Sequence, residues 1–190
     1  ASVEAILGNY ISGGVVVTKD DHGTPLNTIP MIEASHPIPD QRSVDAGYAI
    51  LDVVQRAGTQ DLILFLLSGG ASSLMEAPAD GISLDDFQII SKMLMEAGAN
   101  ITELNTVRGC LSQIKCGGLR RKCGGATVVV STISDVLGNP LEIIGSGPWV
   151  DAQPDFDAAE LILKRYGLID GVSEAVWKRI HSKPAPVSNH

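Results

Sequence analysis

The sequence predicts an α/β fold: a doubly wound, mostly parallel sheet with helices on both faces, Rossmann-like in plan. Three observations carry that prediction. Two apolar runs, residues 61–67 (DLILFLL) and 126–133 (ATVVVSTI), show no polar alternation, which suits strands covered on both faces in a parallel sheet. Stretches with helical periodicity lie between and around these runs, and strands alternating with helices indicate a sheet wrapped by helices. Both runs end abruptly in loops of small and polar residues, the position at which open α/β sheets bind ligands.

Composition bounds the function. The 190 residues suffice for one large domain or two small ones, and 44% are hydrophobic but only 4% aromatic, so aliphatic side chains must do most of the packing. With 14 basic against 22 acidic residues the net charge is −8. That balance argues against nonspecific binding to nucleic acid or to an anionic membrane, both of which need a basic surface. An anionic substrate remains compatible, because a few local donors can hold a phosphate within an acidic protein. No stretch approaches the roughly 18 apolar residues of a membrane span. The opening ASVEAILGNY lacks a basic region followed by a hydrophobic block, so it does not read as a signal peptide. Cys110, Cys116 and Cys123 form no CxxC pair, and three reduced thiols in a cytoplasmic protein are expected rather than a zinc site or disulfide framework.

Each element can be justified in order. Residues 1–9 read as the tail of a helix, with Val3, Ile6 and Leu7 on one face and Gly8 as terminator; a preceding segment is therefore expected in the natural gene. Residues 15–18 form a short strand, and 29–34 a second. The prolines of His36-Pro37-Ile38-Pro39-Asp40 exclude a helix there. A helix runs from Ser43 to near Gly58, carrying Val44, Tyr48, Leu51 and Val54 on one side. After the strand at 61–67 come helices at 84–97 and 102–114, the first opened by Asp85 and Asp86. The strand at 126–133 is followed by a tight loop at 145–148 and helices at 156–166 and 174–180. A single α/β domain over 1–180 is expected, with 181–190 as linker or frayed tail.

The loop after the first buried strand is Ser68-Gly69-Gly70-Ala71-Ser72-Ser73. Its glycines let backbone approach an anion, its serines add donors, and a helix starting just beyond would add its positive end. The same loop would also serve as a strand–helix turn that needs glycine for geometry alone. It lacks the Lys-Ser/Thr of a Walker loop, the third glycine of a dinucleotide loop and the GxSxG of a serine hydrolase. After the second strand, Ser134 and Asp135 offer a hydroxyl and a carboxylate; Asp135 could bind Mg²⁺ or accept a proton from a substrate hydroxyl, or simply cap the next element. Gly145-Ser146-Gly147-Pro148 is a backbone-donor loop or an ordinary turn. Asn105 and Arg108, three apart, can face one ligand, and Lys115 is expected farther along the same helix. A solvated face explains them equally well. His36 has no partner in sequence and reads as a structural histidine until other observations bear on it.

Six segments in order supply such observations: HPIPD (36–40), LLSGGASSL (66–74), ELNTVR (103–108), LSQIKCGGL (111–119), ISDVLGNPLEIIGSGP (133–148) and DAAELILKRYGL (157–168). Together they strongly resemble the glycerate 2-kinases, a family long misnamed hydroxypyruvate reductases, over residues 13–168. The resemblance implies a two-domain enzyme in which a large Rossmann-like domain and a smaller carboxy-terminal domain close over a cleft. It implies ATP with Mg²⁺ phosphorylating the 2-hydroxyl of D-glycerate, and self-association as a homodimer. By the same carry-over, Ser68, Gly69, Gly70, Ser72 and Ser73, with Ser134 and the Ser146-Gly147-Pro148 turn, contact the nucleotide. Asp135 is the metal ligand or orients the attacking hydroxyl, Lys115 and Arg108 join it as catalytic candidates, and His36 and Asn105 face the substrate.

This sequence departs from the family at several places. A Gly-Lys-Ala segment upstream and a carboxy-terminal domain that supplies an arginine do not occur in it, so the chain on its own is expected to be inactive. Gly109 and Cys110 stand where relatives read Lys-His, Asn139 where they read Asp, and Cys116 where they read Gly. Two other functions compete. An NADH-dependent hydroxypyruvate reductase would need a dinucleotide loop, and a non-catalytic ligand-binding module would keep the fold without the lysine.

Overall fold

The computed structural model describes residues 1–134, 138 and 140–183. Its chain order is α1 (Ser2–Leu7), β1 (Val16–Lys19), β2 (Met31–Ala34), α2 (Gln41–Arg56), β3 (Leu62–Leu67), α3 (Ala71–Leu74), α4 (Leu84–Glu96), α5 (Ile101–Leu111), α6 (Gly118–Lys122), β4 (Thr127–Thr132), α7 (Phe156–Arg165) and α8 (Glu174–Ser182), with short 3₁₀ turns at Gly8–Tyr10, Ile144–Ser146 and Ile169–Gly171.

The longer helices start where their side chains can satisfy the first free amides. The side chains of Asp40, Ser83, Asn100, Asp155 and Ser173 each accept from the backbone N–H three residues on, opening α2, α4, α5, α7 and α8. In the first three the third residue reciprocates; Ser43 Oγ accepts from Asp40 N–H at 3.1 Å, for example. From α2, one face packs Ile50, Leu51 and Val54 against β3, α6 and the 75–77 segment. Gly47 lies on that helix where a Cβ would come within 2.0 Å of the Glu76 carbonyl oxygen. Only glycine lets α2 and the 75–77 segment approach this closely.

Among the described residues both strand ladders are parallel. β1 pairs with β2, Val16 opposite Met31, and β3 pairs with β4 from Leu62 opposite Thr127 to Leu67 opposite Thr132. The expected α/β architecture is thus present, but among the described residues the strands form two two-stranded ladders rather than one continuous sheet. The expected burial of β3 on both faces does not hold. Its odd residues, Ile63, Phe65 and Leu67, face the α2–α6 core, while Leu62 is 65% exposed and Leu64 and Leu66 are also open. The reason is packing: α2 and α6 cover one side of the ladder, and no described element covers the other.

A second core is built mainly from helices. α4, α5, α7 and α8 enclose Phe87, Leu94, Val107, Leu111, Leu163 and Ile180. α5 stops at Leu111, short of the expected 114, because Ser112 turns extended and bridges Pro78. Lys115 therefore leaves the helix and sits in the turn before α6. The expected domain boundary at 180 falls inside α8, which reaches Ser182; residues 184–190 of the expected tail lie outside the described residues. Among the described residues no helix is long and apolar enough to cross a membrane.

Candidate functional site

Parallel pairing puts the ends of β3 and β4 at the same edge, and the Ile133 N–H extends the ladder to Leu67 O at 2.9 Å. The loops that follow the two strands therefore begin side by side. The loop after β2 reaches the loop after β3: at Gly70, with φ +85°, a Cβ would stand 2.9 Å from His36 Cδ2. A left-handed conformation and a ring at contact distance both demand glycine there. This contact gives His36 the partner its sequence context did not reveal.

Between these loops and α5 lies a cleft of about 170 Å³, lined by His36, Gly70, Ser72, Ser73, Phe87 and Arg108 among others. Arg108 is its cation. Its Nε donates to Ser91 Oγ at 2.9 Å, and its guanidinium stacks over the Phe87 ring at 5.6 Å. Burial pulls its pKa below the ordinary arginine value, with Glu76 acting the other way, but a guanidinium stays charged throughout the working pH range. Such a planar donor, half withdrawn from water beside serine hydroxyls and a glycine backbone, is suited to hold a phosphate or a carboxylate.

The remaining expected residues divide. Ser68 and Gly69 are exposed at the strand end, and the helix expected after them, α3, is a single turn that contributes little dipole. Ser146, Gly147 and Pro148 are buried rather than open to a ligand. The Ser146 and Gly147 amides already donate to Ile143 O and Ile144 O, and the Ser146 and Gly147 carbonyls accept from the Cys116 and Gly117 amides. That turn offers a side chain, not amides: Ser146 Oγ meets Ser72 Oγ at 2.8 Å and donates to Asn105 Oδ1 at 3.2 Å. Asn105 thus joins the cleft loop through Ser146. Asp135 lies outside the described residues.

Lys115 is the largest departure from expectation. Instead of reaching into the cleft, its side chain is 1% exposed beneath the loop. Its ammonium lies 3.1 Å from Glu76 Oε2 and donates to Ser72 O at 2.8 Å and Ser72 Oγ at 3.2 Å. Burial lowers its pKa, and the neighbouring Glu76 carboxylate opposes that shift. Sequence reading missed Glu76 altogether. It stands in the apolar stretch Met75-Glu76-Ala77, fully buried, with Oε1 accepting from Ser112 Oγ and the Ala77 N–H. A lone acid inside an apolar run was the one available signal, since lone acids are seldom buried without a partner. Burial pushes the Cys110 thiol up to about 12, and burial also raises that of Cys116.

The family described as "Domain of unknown function (DUF4147)" matches residues 1–181. The chain belongs to this family. It is 41% identical over 187 residues to a protein of Thermotoga maritima named D-glycerate 2-kinase, and 42% identical over 180 residues to the glycerate 2-kinase of Pyrococcus horikoshii. These alignments cover 97% and 95% of this chain but 44% and 40% of the relatives, so the chain spans less than half their length. The crystal structure of the Thermotoga maritima glycerate kinase superposes with a TM-score of 0.89 at 39% identity, covering 99% of this chain and 45% of that one. A Pyrococcus horikoshii OT3 crystal structure gives the same TM-score at 40% identity, with 95% and 41% covered. The motif resemblance to glycerate 2-kinases is thereby borne out at the level of family.

Proposed function

We propose that this chain forms one wall of the active cleft of an ATP-dependent D-glycerate 2-kinase, completed by a carboxy-terminal domain. One observation carries the reading. The loops after β2 and β3 meet as His36 against Gly70, beside Arg108 and the Ser72 and Ser73 hydroxyls, in a chain about 40% identical to proteins named for that reaction. Both substrates are anions, and phosphoryl transfer asks chiefly for positioning and charge neutralisation. Arg108 supplies fixed positive charge, and Gly70 lets backbone approach an oxyanion. Ser72 and Ser73 line the cleft with their hydroxyls held by Ser146 and by Gly70 O, and His36 closes it from the β2 side.

ATP is the nucleotide of this proposal, and Arg108 with the serine loop fits its phosphates. Mg²⁺, when bound, would neutralise phosphate charge, and it needs only one or two protein carboxylates. The carboxylate assigned to it is Asp135; among the described residues no group of three His, Cys, Asp or Glu side chains gathers at a metal-sized site. The three free thiols suit a reducing compartment, so we place the reaction in the cytoplasm; a homodimer is the assembly that the motif resemblance suggests.

The test uses the full-length gene product with ATP and D-glycerate, following phosphoglycerate formation. Arg108→Met should lower kcat/KM by roughly tenfold to a hundredfold, the loss expected for one charge-assisted contact. No turnover with glycerate alongside turnover of another hydroxy acid would overturn the substrate. Tight NADH binding, read by its fluorescence, would overturn the kinase in favour of a reductase.

A further inference from the structure

We propose that the buried Glu76–Lys115 ion pair is a positioning device for the cleft: it holds Ser72 by its carbonyl and hydroxyl without touching the ligand.

The reasoning starts from α3. In a longer helix the Ser72 carbonyl would accept from the N–H of residue 76. Here α3 ends at Leu74, and the Glu76 N–H turns away to Ser43 O on α2 at 3.0 Å. Ser72 O is thus orphaned at a helix end inside the protein, and such a group needs another donor. Lys115 is that donor, at 2.8 Å. Its charge requires a counter-ion, since an unpaired ammonium is costly to bury. Glu76 provides one from the segment that α2 has already pinned at Gly47. Glu76 Oε2 lies 3.1 Å from the ammonium, and Oε1 is held by Ser112 and Ala77. The pair is therefore fixed from both ends.

Its effect propagates in one direction. An ammonium only donates, so Ser72 Oγ accepts from Lys115. Ser146 gives its hydroxyl hydrogen to Asn105 Oδ1, so the Ser72–Ser146 bond must be donated by Ser72. The chain Lys115 → Ser72 → Ser146 → Asn105 has a single polarity, and it leaves the Asn105 amide NH₂ as its donor end. Buried ion pairs gain little net stability over apolar substitutes; what this one adds is the orientation of three side chains and one carbonyl along the cleft loop. Lys115 and the half-buried Arg108 also lie over the same Phe87 ring, at 5.8 and 5.6 Å.

The ligand consequence rests on the kinase reading above; the positioning claim does not, and the experiment separates them. In the full-length gene product, Glu76→Gln, Lys115→Met and the double variant are compared by thermal melting, amide exchange and ATP titration. Lys115→Met strands a buried carboxylate and should melt lowest, and the neutral double variant should regain most of that loss. In the double variant the amides of Ser73, Leu74 and Met75 should nevertheless exchange roughly tenfold faster, with α7 amides unchanged and ATP binding weakened by about as much. Wild-type exchange in a folded double variant would overturn the proposal, because it would make the pair mere packing. If wild type binds no ATP, the kinase reading fails while the exchange result still decides the positioning. Should the double variant not fold, Ser72→Ala leaves both charges in place. Faster exchange at Ser73–Met75 with an unchanged melting temperature then supports the proposal, and unchanged exchange overturns it.

Discussion

Helices α4, α5, α7 and α8 bury Leu94, Val107, Leu111, Leu163 and Ile180 to 0% exposure, whereas β3 and β4 leave Leu62, Leu64, Leu66 and Val129 on an open face. The residue types are nearly the same. What differs is the opposing surface: each helix of the first region meets the apolar stripes of the others, while the outer face of the β3–β4 ladder meets no described element. An apolar run therefore reports the capacity for burial, and its realisation depends on what stands across from it. The cleft lies between the two regions, with Arg108 and Phe87 from the closed helical side and Gly70 and Ser72 from the loop beyond the open ladder.

The strongest way to sharpen this contrast is at Leu163. Leu163→Ala should cost about 2–5 kcal/mol in this chain, as expected for a cavity in a closed core, read by urea unfolding. A cost below about 1 kcal/mol would mean the helical region relaxes freely and the contrast is false. The next effect is electrostatic and confined to the helical region. The Tyr166 hydroxyl, then the Asn100 N–H, hold Glu103 below its ordinary value of 4.5. A depressed folded pKa means stabilisation present above 4.5 and lost as pH falls through the folded value. Tyr166→Phe should therefore lower stability at pH 7, and its gap from wild type should close in acid below about pH 4.5; a gap independent of pH would sink the assignment. The smallest effect belongs to the open face. Leu62→Ser should change stability by less than about 0.5 kcal/mol in this chain, and a larger loss would mean the face is covered.

Much of the fold could be read before any coordinates. Asp85 and Asp86 announce the start of the helix at 84–97, and 61–67 announces a strand through an unbroken apolar run. The glycine loop was legible because its conformational needs are local. The fate of individual site residues was not. The motif that contained Lys115 singled it out for the cleft, yet the turn after Leu111 rotates it underneath; the GSGP turn carried the right composition, yet its amides are engaged by its own neighbours.

Short-range chemistry accounts for what the residue order settled: helical periodicity, parallel-strand candidates, a glycine-rich loop at the end of the 61–67 strand and the presence of Arg108 on a helix face. Each depends on groups within a turn or two of one another, so composition and spacing suffice. Three-dimensional packing alone settled which face of β3 is open, that His36 rests on Gly70, and that Glu76 and Lys115 neutralise each other beneath Ser72. Those outcomes depend on the desolvation of groups remote in sequence, and a charge has no knowable environment until the chain has closed around it.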